Sequence, residues 1–331
     1  MQFDTRRRNF ITLLGGTATL PLAARAQQPK PMRRIGFLAN DPTIPTQDAG
    51  KAFLEGLRAH GFVEGKNIVI ERRFAQGSSE LAAELAADLV RLNVDLAVVS
   101  GQNNVTAMKQ ATRSLPVVMV NVFDPIGMGI VASLASPGGN FTGLTSHVSS
   151  EMVGKRLQLL KDAFPQTSLV AVLRTPNFAT DQMQWDALER VAPAMNVKLF
   201  PVLVNARSDL EGAFATIRRE HPNALFASND PPTLIFRKQI TDFAAQERLP
   251  AIYLFTDVAE AGGLMSYGAS RVDLFQHAAT YVAKILNGAK PGNLPIEQPT
   301  KFEFVINLKT ANTLGLTISR DILLLADQVI E

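Results

Sequence analysis

Leu96-Ala97-Val98-Val99 and Val117-Val118-Met119-Val120 are two short runs without a polar side chain. Each is closed by polar residues, Ser100-Gly101-Gln102-Asn103-Asn104 after the first and Asn121 after the second. A strand that is apolar on both faces belongs inside a parallel sheet covered by helices on each side. Outward from these runs, strand patterns over 34–39, 67–74, 95–100 and 117–121 alternate with helical stripes. Ala49, Phe53 and Leu57 form one stripe, and Leu81, Leu85, Leu89 and Leu92 another. Ser78 or Ser79 is placed to cap the second helix. This is βαβ alternation around a parallel sheet.

The alternation then restarts. A helix over 150–163 leads to a strand over 169–173, and a helix over about 179–192 leads to a strand over 197–204. The stripe Leu210, Phe214, Ile217 precedes a strand over 224–227, and Phe236, Ile240, Phe243 precede one over 251–254. Two successive α/β lobes of similar size predict a cleft between them. Pro137-Gly138-Gly139-Asn140, with a strand over 142–145, marks the first crossing. A helix over 271–287 is amphipathic through Phe275, Ala279, Val282 and Leu286, but its pattern assigns it to neither lobe.

The chain has 331 residues, 46% hydrophobic and 19% charged, which is ample for a core spread over two domains. Its formal charge of +3 comes from the first 26 residues, where Arg6, Arg7, Arg8 and Arg25 face only Asp4. The balanced remainder lacks the basic footprint of a nucleic-acid partner. With no cysteine there is no disulfide framework, thiol nucleophile or thiolate metal site. The long uncharged run 125–150 contains Pro137-Gly138-Gly139 and is unfit to span a bilayer as a helix, so no stable membrane insertion is expected. The arginines, the apolar stretch 11–24 and Ala24-Arg25-Ala26 together read as a secretory signal over 1–26, cleaved after Ala26. Arg7-Arg8-x-Phe10-Ile11 also resembles a twin-arginine export signal. The expected compartment is the periplasm.

Catalytic chemistry is hard to find. The histidines His60, His147, His221 and His277 have no metal-ligand spacing, and His60 and His221 read as helix ends. There is no Gly-x-Ser-x-Gly elbow, and Gly61-x-x-x-Gly65-Lys66-Asn67 fails the phosphate-loop spacing. Gly127-Met128-Gly129-Ile130-Val131-Ala132 fits Gly-x-Gly-x-x-Ala but follows the fourth strand, whereas a dinucleotide fingerprint follows the first. Neither a cofactor, nor a bound metal, nor an enzymatic activity is expected.

Ligands of open parallel sheets bind at the carboxyl ends of the strands. In the first lobe those ends hold Asn40 and Asp41, then Gln102, Asn103 and Asn104, then Asn121, Phe123 and Asp124, and finally Thr145 and Ser146. In the second they hold Thr175 and Asn177, Asn229 and Asp230, then Phe255, Thr256 and Asp257. Amides, hydroxyls, carboxylates and a few aromatics suit hydrogen-bonded recognition of a small polar or zwitterionic molecule. Asn103 or Asn104, at a helix start, leaves backbone N–H groups free for an anion. Asp124 and Asp230, one per lobe, are the candidates for a ligand's ammonium group. Each also precedes a proline, and the competing reading is a turn-forming Asp.

Longer motifs carry a resemblance. Gly56-Leu57, Gly61-Phe62-Val63-Glu64-Gly65-Lys66-Asn67, Asp124-Pro125 and Ser133-Leu134-Ala135-Ser136-Pro137-Gly138-Gly139-Asn140-Phe141-Thr142-Gly143 come first. Gly262-Gly263-Leu264-Met265-Ser266-Tyr267-Gly268 and Gln298-Pro299-Thr300-Lys301-Phe302-Glu303-Phe304-Val305-Ile306-Asn307-Leu308-Lys309-Thr310-Ala311 follow. Over essentially the whole mature chain these resemble the bacterial ABC-transporter solute-binding family related to tryptophan- and tyrosine-binding proteins. The resemblance implies a type I periplasmic-binding-protein fold: two doubly wound parallel-sheet lobes joined by a hinge of three crossings. It implies an N-terminal lobe of 33–145 plus about 270–292, and a C-terminal lobe of 146–269 plus about 293–331.

The same resemblance places ligand contacts at the loop after the first strand, at 102–104, Asp124-Pro125, Thr145-Ser146, 175–177 and Asp230; Tyr267 of the second glycine motif joins the candidate set. Two stretches depart from the family. Many relatives have an Asn-Pro-Asn-rich loop where this chain reads Arg174-Thr175-Pro176-Asn177-Phe178. Tryptophan binders carry Asp-Asn where this chain reads Asp230-Pro231. The implied function is a monomeric receptor that captures an amino acid, or an aromatic or branched acid, for an ABC permease and its ATPase. The alternative is a sensory protein that presents its closed form to a signalling partner.

Overall fold

Strand β1 (Arg33–Ala39) sends Ile35, Phe37 and Ala39 into one apolar cluster and Leu38 into another on its opposite face. The central strands β3 (Leu96–Ser100) and β4 (Val117–Val122) do the same. Leu96, Val98, Val118 and Val120 face one cluster, and Ala97, Val99, Val117 and Met119 face the other. Double coverage is the physical reason these runs carry no polar side chain. The computed structural model describes residues 32–146, 149–176, 178, 180–228 and 231–331. The leader 1–26, His147, Asn177, Asn229 and Asp230 lie outside the described residues.

In chain order, helix α1 (Asp48–Ala59) and strand β2 (Ile68–Phe74) follow β1. Helices α2 (Ser79–Arg91) and α3 (Gln102–Ala111) flank β3, and β5 (Phe141–Thr145) follows β4. The Ser78 hydroxyl accepts the Leu81 N–H at 3.1 Å and caps α2. The five strands form an all-parallel sheet in the order β2-β1-β3-β4-β5, a doubly wound arrangement with its switch point between β1 and β3.

The second half continues with α4 (Ser150–Ala163), β6 (Leu169–Arg174), α5 (Asp181–Val191), β7 (Lys198–Leu203), α6 (Leu210–Glu220) and β8 (Ala224–Ala227). Next come α7 (Pro231–Ile235), α8 (Arg237–Gln246), β9 (Ala251–Tyr253), α9 (Thr256–Glu260) and β10 (Met265–Ala269). Helix α10 (Arg271–Leu286) precedes β11 (Phe302–Asn307), α11 (Leu308–Leu314), α12 (Arg320–Leu325) and β12 (Gln328–Ile330). The second sheet runs β12-β11-β10-β9-β8-β6-β7. Its β7-β6-β8-β9-β10 portion repeats the winding of the first, with a switch point between β6 and β8, and β11 joins β10 antiparallel. Among the described residues no helix is long and apolar enough to cross a membrane.

Helix α10 buries its apolar face on the first sheet beside α1. Phe275 lies 6.1 Å from Phe37 and 6.4 Å from Phe53, centroid to centroid, in one aromatic cluster. Gly56 permits the approach of the two helices, because a Cβ there would stand 2.7 Å from that of Ala279. The chain thus returns to the first sheet after β10 and to the second at β11. The stretch Gly127-Met128-Gly129 runs as turns rather than opening a helix, and Lys109 Nζ donates to the Met128 and Gly129 carbonyls at 3.2 and 2.7 Å. The glycines serve a tight loop clamped by a lysine.

Candidate functional site

The carboxyl ends of both sheets converge on one cavity of about 80 Å³, several times the space one water needs. From the first lobe come Asn40 and Asp41 after β1, Ser100, Gly101 and Gln102 between β3 and α3, and Asn121 and Phe123 at the end of β4. Ser146 lines it at the first crossing, and Arg271 at the start of α10. The second lobe contributes Phe178 and Thr180 after β6, Ala227 and Ser228 after β8, Thr233, Leu234 and Ile235 from α7, and Tyr253, Leu254, Phe255 and Val258 from β9 and α9. Both switch points open onto this space, as the winding of the sheets requires.

A bulge between Met119 and Val122 on β4 shapes the first-lobe wall. There Asn121 takes a left-handed φ of 59°, a conformation Asn tolerates better than most side chains. On the partner strand Gly143 has φ 129°, and a Cβ there would come within 2.1 Å of the Met119 carbonyl oxygen. The glycine that ends the Asn140-Phe141-Thr142-Gly143 motif is therefore required by backbone contact. The Asn121 side-chain amide oxygen is buried without a hydrogen-bond partner among the described residues, as is the Ser228 hydroxyl. Burial pushes the Tyr253 phenol well above its ordinary pKa, so that hydroxyl keeps its proton.

Both charged residues on the described lining have protein partners. Asp41 Oδ1 accepts from the Thr43 N–H at 2.8 Å and its hydroxyl at 2.6 Å, and Oδ2 accepts from Arg237 Nη1 at 2.8 Å. Arg271 pairs with Asp257 and lies 5.3 Å from the centroid of the Phe255 ring. The rest of the described wall is neutral, with Phe123, Phe178, Tyr253 and Phe255 as its aromatics. Such a wall solvates an apolar or aromatic body and hydrogen-bonds neutral polar groups. Among the described residues no group of three or more His, Asp or Glu is arranged to hold a metal ion.

Of the residues singled out by the sequence, Asn40, Asp41, Gln102, Asn121, Phe123, Ser146 and Phe255 line the cavity. Others stand behind them. Asn103 exchanges amide hydrogen bonds with Asn40 at 2.9 and 3.3 Å, and the fully buried Asn104 donates to the Ser100 carbonyl at 2.8 Å. Gln102 Oε1 accepts the Phe123 N–H at 3.1 Å and so fixes the loop that carries the ring. Thr145 is buried, with its N–H on the Glu297 carbonyl at 3.0 Å. Thr175 donates its N–H to Asp181 Oδ1 at 2.9 Å, and Arg174 holds the same carboxylate.

Other candidates lie elsewhere, and among them Thr256 and Asp257 line a separate groove beside Glu260 and Glu303. Asp124 is exposed, and its Oδ1 accepts the Gly127 N–H at 2.8 Å, closing a turn outside the cavity. Tyr267 points along β10 toward β11, where its ring stacks on Phe302 at 6.3 Å. That ring is half-buried and is not on the cavity lining. Sequence reasoning passes over Ser100, Phe178, Thr180, Ser228 and Tyr253 although they close or follow strands, so a wider reading of each strand end finds them. Ile44, Leu234, Ile235, Leu254 and Val258 have no such signal, because an apolar residue lining a cleft reads like one in a core. Arg271 reads only as the start of a helix, and nothing in the sequence singles out Arg237.

The sequence profile described as ABC transporter substrate binding protein matches residues 44–330. A curated relative, the tyrosine-binding protein of Clostridioides difficile (strain R20291), is 24% identical over 289 residues, covering 87% of this chain and 82% of that one. Among solved structures, a conserved domain protein from Vibrio cholerae O1 biovar El Tor superposes with a TM-score of 0.81 at 27% identity, covering 90% of this chain and 99% of that one. The ABC domain from Streptococcus pneumonia in complex with L-Trp superposes with a TM-score of 0.80 at 25% identity, with the same coverage.

Proposed function

Because this chain belongs to the family of ABC transporter substrate-binding proteins, we propose that it is the exported receptor of an importer, closing its two lobes around a small solute and delivering it to a permease. The observation that carries this reading is the cavity itself, walled by strand ends from both sheets, so that one ligand touches both lobes at once. A ligand that binds the closed arrangement better than the open one drives closure by that difference in affinity.

The aromatic-rich wall supports a ligand with an apolar or aromatic side chain. The name of the Clostridioides difficile relative and the L-Trp complex of the Streptococcus structure support the same class. The lobes of this reading are 33–145 with about 270–292, and 146–269 with about 293–331. Two further features belong to it: an export signal over 1–26 cleaved after Ala26, through the Sec or the twin-arginine route, and a periplasmic location.

The test is a melting-temperature screen of the mature chain against the amino acids and against aromatic and branched acids. A ligand present at about 100 times its Kd adds about 2.7 kcal/mol to the folded state and raises the melting temperature by several degrees. A panel in which no member shifts the transition rejects the ligand class.

A further inference from the structure

Asp41 and Arg237 are 196 residues apart and belong to different lobes. Asp41 follows β1 in the first sheet, and Arg237 opens α8 on the second. They meet at the outer edge of the cleft. Asp41 and Ile235 line the inner cavity and also a groove on the other side, formed with Pro42, Thr43, Arg237 and Lys238. The ion pair therefore forms part of the partition between the cavity and solvent.

The geometry is built from both sides. The guanidinium is held in its own lobe by the Leu234 carbonyl, which accepts from Nη1 at 2.8 Å. From there Nη1 reaches Asp41 Oδ2 at 2.8 Å and Nη2 reaches the Thr43 hydroxyl at 3.0 Å. The carboxylate in turn is oriented by its own turn, through the Thr43 N–H and hydroxyl. The side chains are only 4% and 14% exposed for Asp41 and Arg237, so the pair is largely withdrawn from water. A charge-assisted contact in that setting is stronger than a surface pair.

We propose that Arg237 is a positioning residue that latches the cleft closed through Asp41. The contact joins the lobes and exists only when they are together, so it biases the open–closed equilibrium without touching the solute. Asp41 Oδ1 accepts twice from Thr43 and Oδ2 accepts once from Arg237, so the carboxylate's charge is already compensated within the protein. This rests on the receptor reading above, because closure matters only if the cleft takes a solute.

The absence of cysteine from the chain makes the test direct. Glu84→Cys on α2 and Gln246→Cys on α8 are both exposed positions, one per lobe. They carry spin labels whose separation is measured with no ligand, with L-tyrosine and with L-tryptophan. The latch predicts a short-distance population that Arg237→Gln depletes by at least about tenfold relative to the long-distance one. Arg237→Lys restores part of that population. Adding Asp41→Asn to Arg237→Gln costs nothing further, because the two side chains act as one contact.

Identical distributions in the parent and Arg237→Gln under all three conditions overturn the latch, as do additive losses in the double variant. If neither amino acid moves the parent distances while Arg237→Gln still lowers the ligand-free short population, the latch stands and these two amino acids are not the closing ligand. Cooperative melting of each variant keeps these outcomes separate from misfolding.

Discussion

Asp124 shows how one residue type serves two chemistries that a sequence does not separate. It closes a strand and precedes a proline, where a cleft carboxylate would stand. Yet its oxygen caps the Gly127 N–H on an exposed turn. Replacing it with Ala should cost about 1 kcal/mol of stability and leave the affinity for any confirmed ligand within a few-fold, measured by parallel melting and calorimetry. A loss of affinity near 30-fold would instead mean that the carboxylate reaches the ligand. Gly143 makes the opposite case, because its lack of a side chain is what the fold uses. Its φ is 129°, and the Met119 oxygen lies 2.1 Å from where an alanine Cβ would stand, which leaves no room for one. Gly143→Ala should therefore lower stability by about 2 kcal/mol or more, read from chemical denaturation, and should displace Asn121 from the cavity wall.

At the scale of elements, α10 ties the late chain to the first sheet. Its start is capped by Ser270, whose hydroxyl accepts the Asp273 N–H at 3.3 Å, and its middle is anchored by the fully buried Phe275. Truncating Phe275 to Ala removes a ring that packs on Phe37 and Phe53. The expected cost is about 3–5 kcal/mol, followed by denaturant melting. Ser270→Ala should cost about 1 kcal/mol. That change also loosens the segment from which Arg271 reaches Asp257, so a small loss of ligand affinity should accompany it.

Across the whole molecule, the ends of α1 and α9 bring like charges together beside the crossing. Partial desolvation and the neighbouring Asp48, Asp257 and Glu303 carboxylates raise the Glu260 carboxyl above its ordinary pKa. A carboxyl whose folded pKa is raised holds its proton more tightly in the folded chain. Stability therefore falls as pH rises from the ordinary carboxylate value through the raised one, and the penalty is complete above it. Glu260→Gln should raise the melting temperature near pH 7 and change it little near pH 4, where the parent side chain is already largely protonated. A gain of equal size at both values would remove the electrostatic explanation. If the lobes close on a solute, small-angle scattering of the chain saturated with a confirmed ligand should give a smaller radius of gyration than the free chain.

The amino-acid sequence by itself determined the two α/β lobes: the 96–99 and 117–120 runs are apolar on both faces, which only a covered parallel sheet accepts, and the strand–helix alternation restarts after about 150. Local spacing likewise placed α4 at Ser150–Ala163 and β8 at Ala224–Ala227, since helix and strand periods depend on neighbours a few residues away. The strand ends were readable as a class, because open parallel sheets place their binding groups there. Tertiary structure decided which of those residues face the cavity, and that depends on contacts between distant segments. The bulge opposite Gly143 aims Asn121 inward. The register of β11 against β10 sets Phe302 beside Tyr267 on one face, where the rings stack. Packing of α8 against the rim brings Arg237 to Asp41 across 196 residues. No local pattern encodes an ion pair between two lobes, because neither residue's neighbours in sequence carry information about the other.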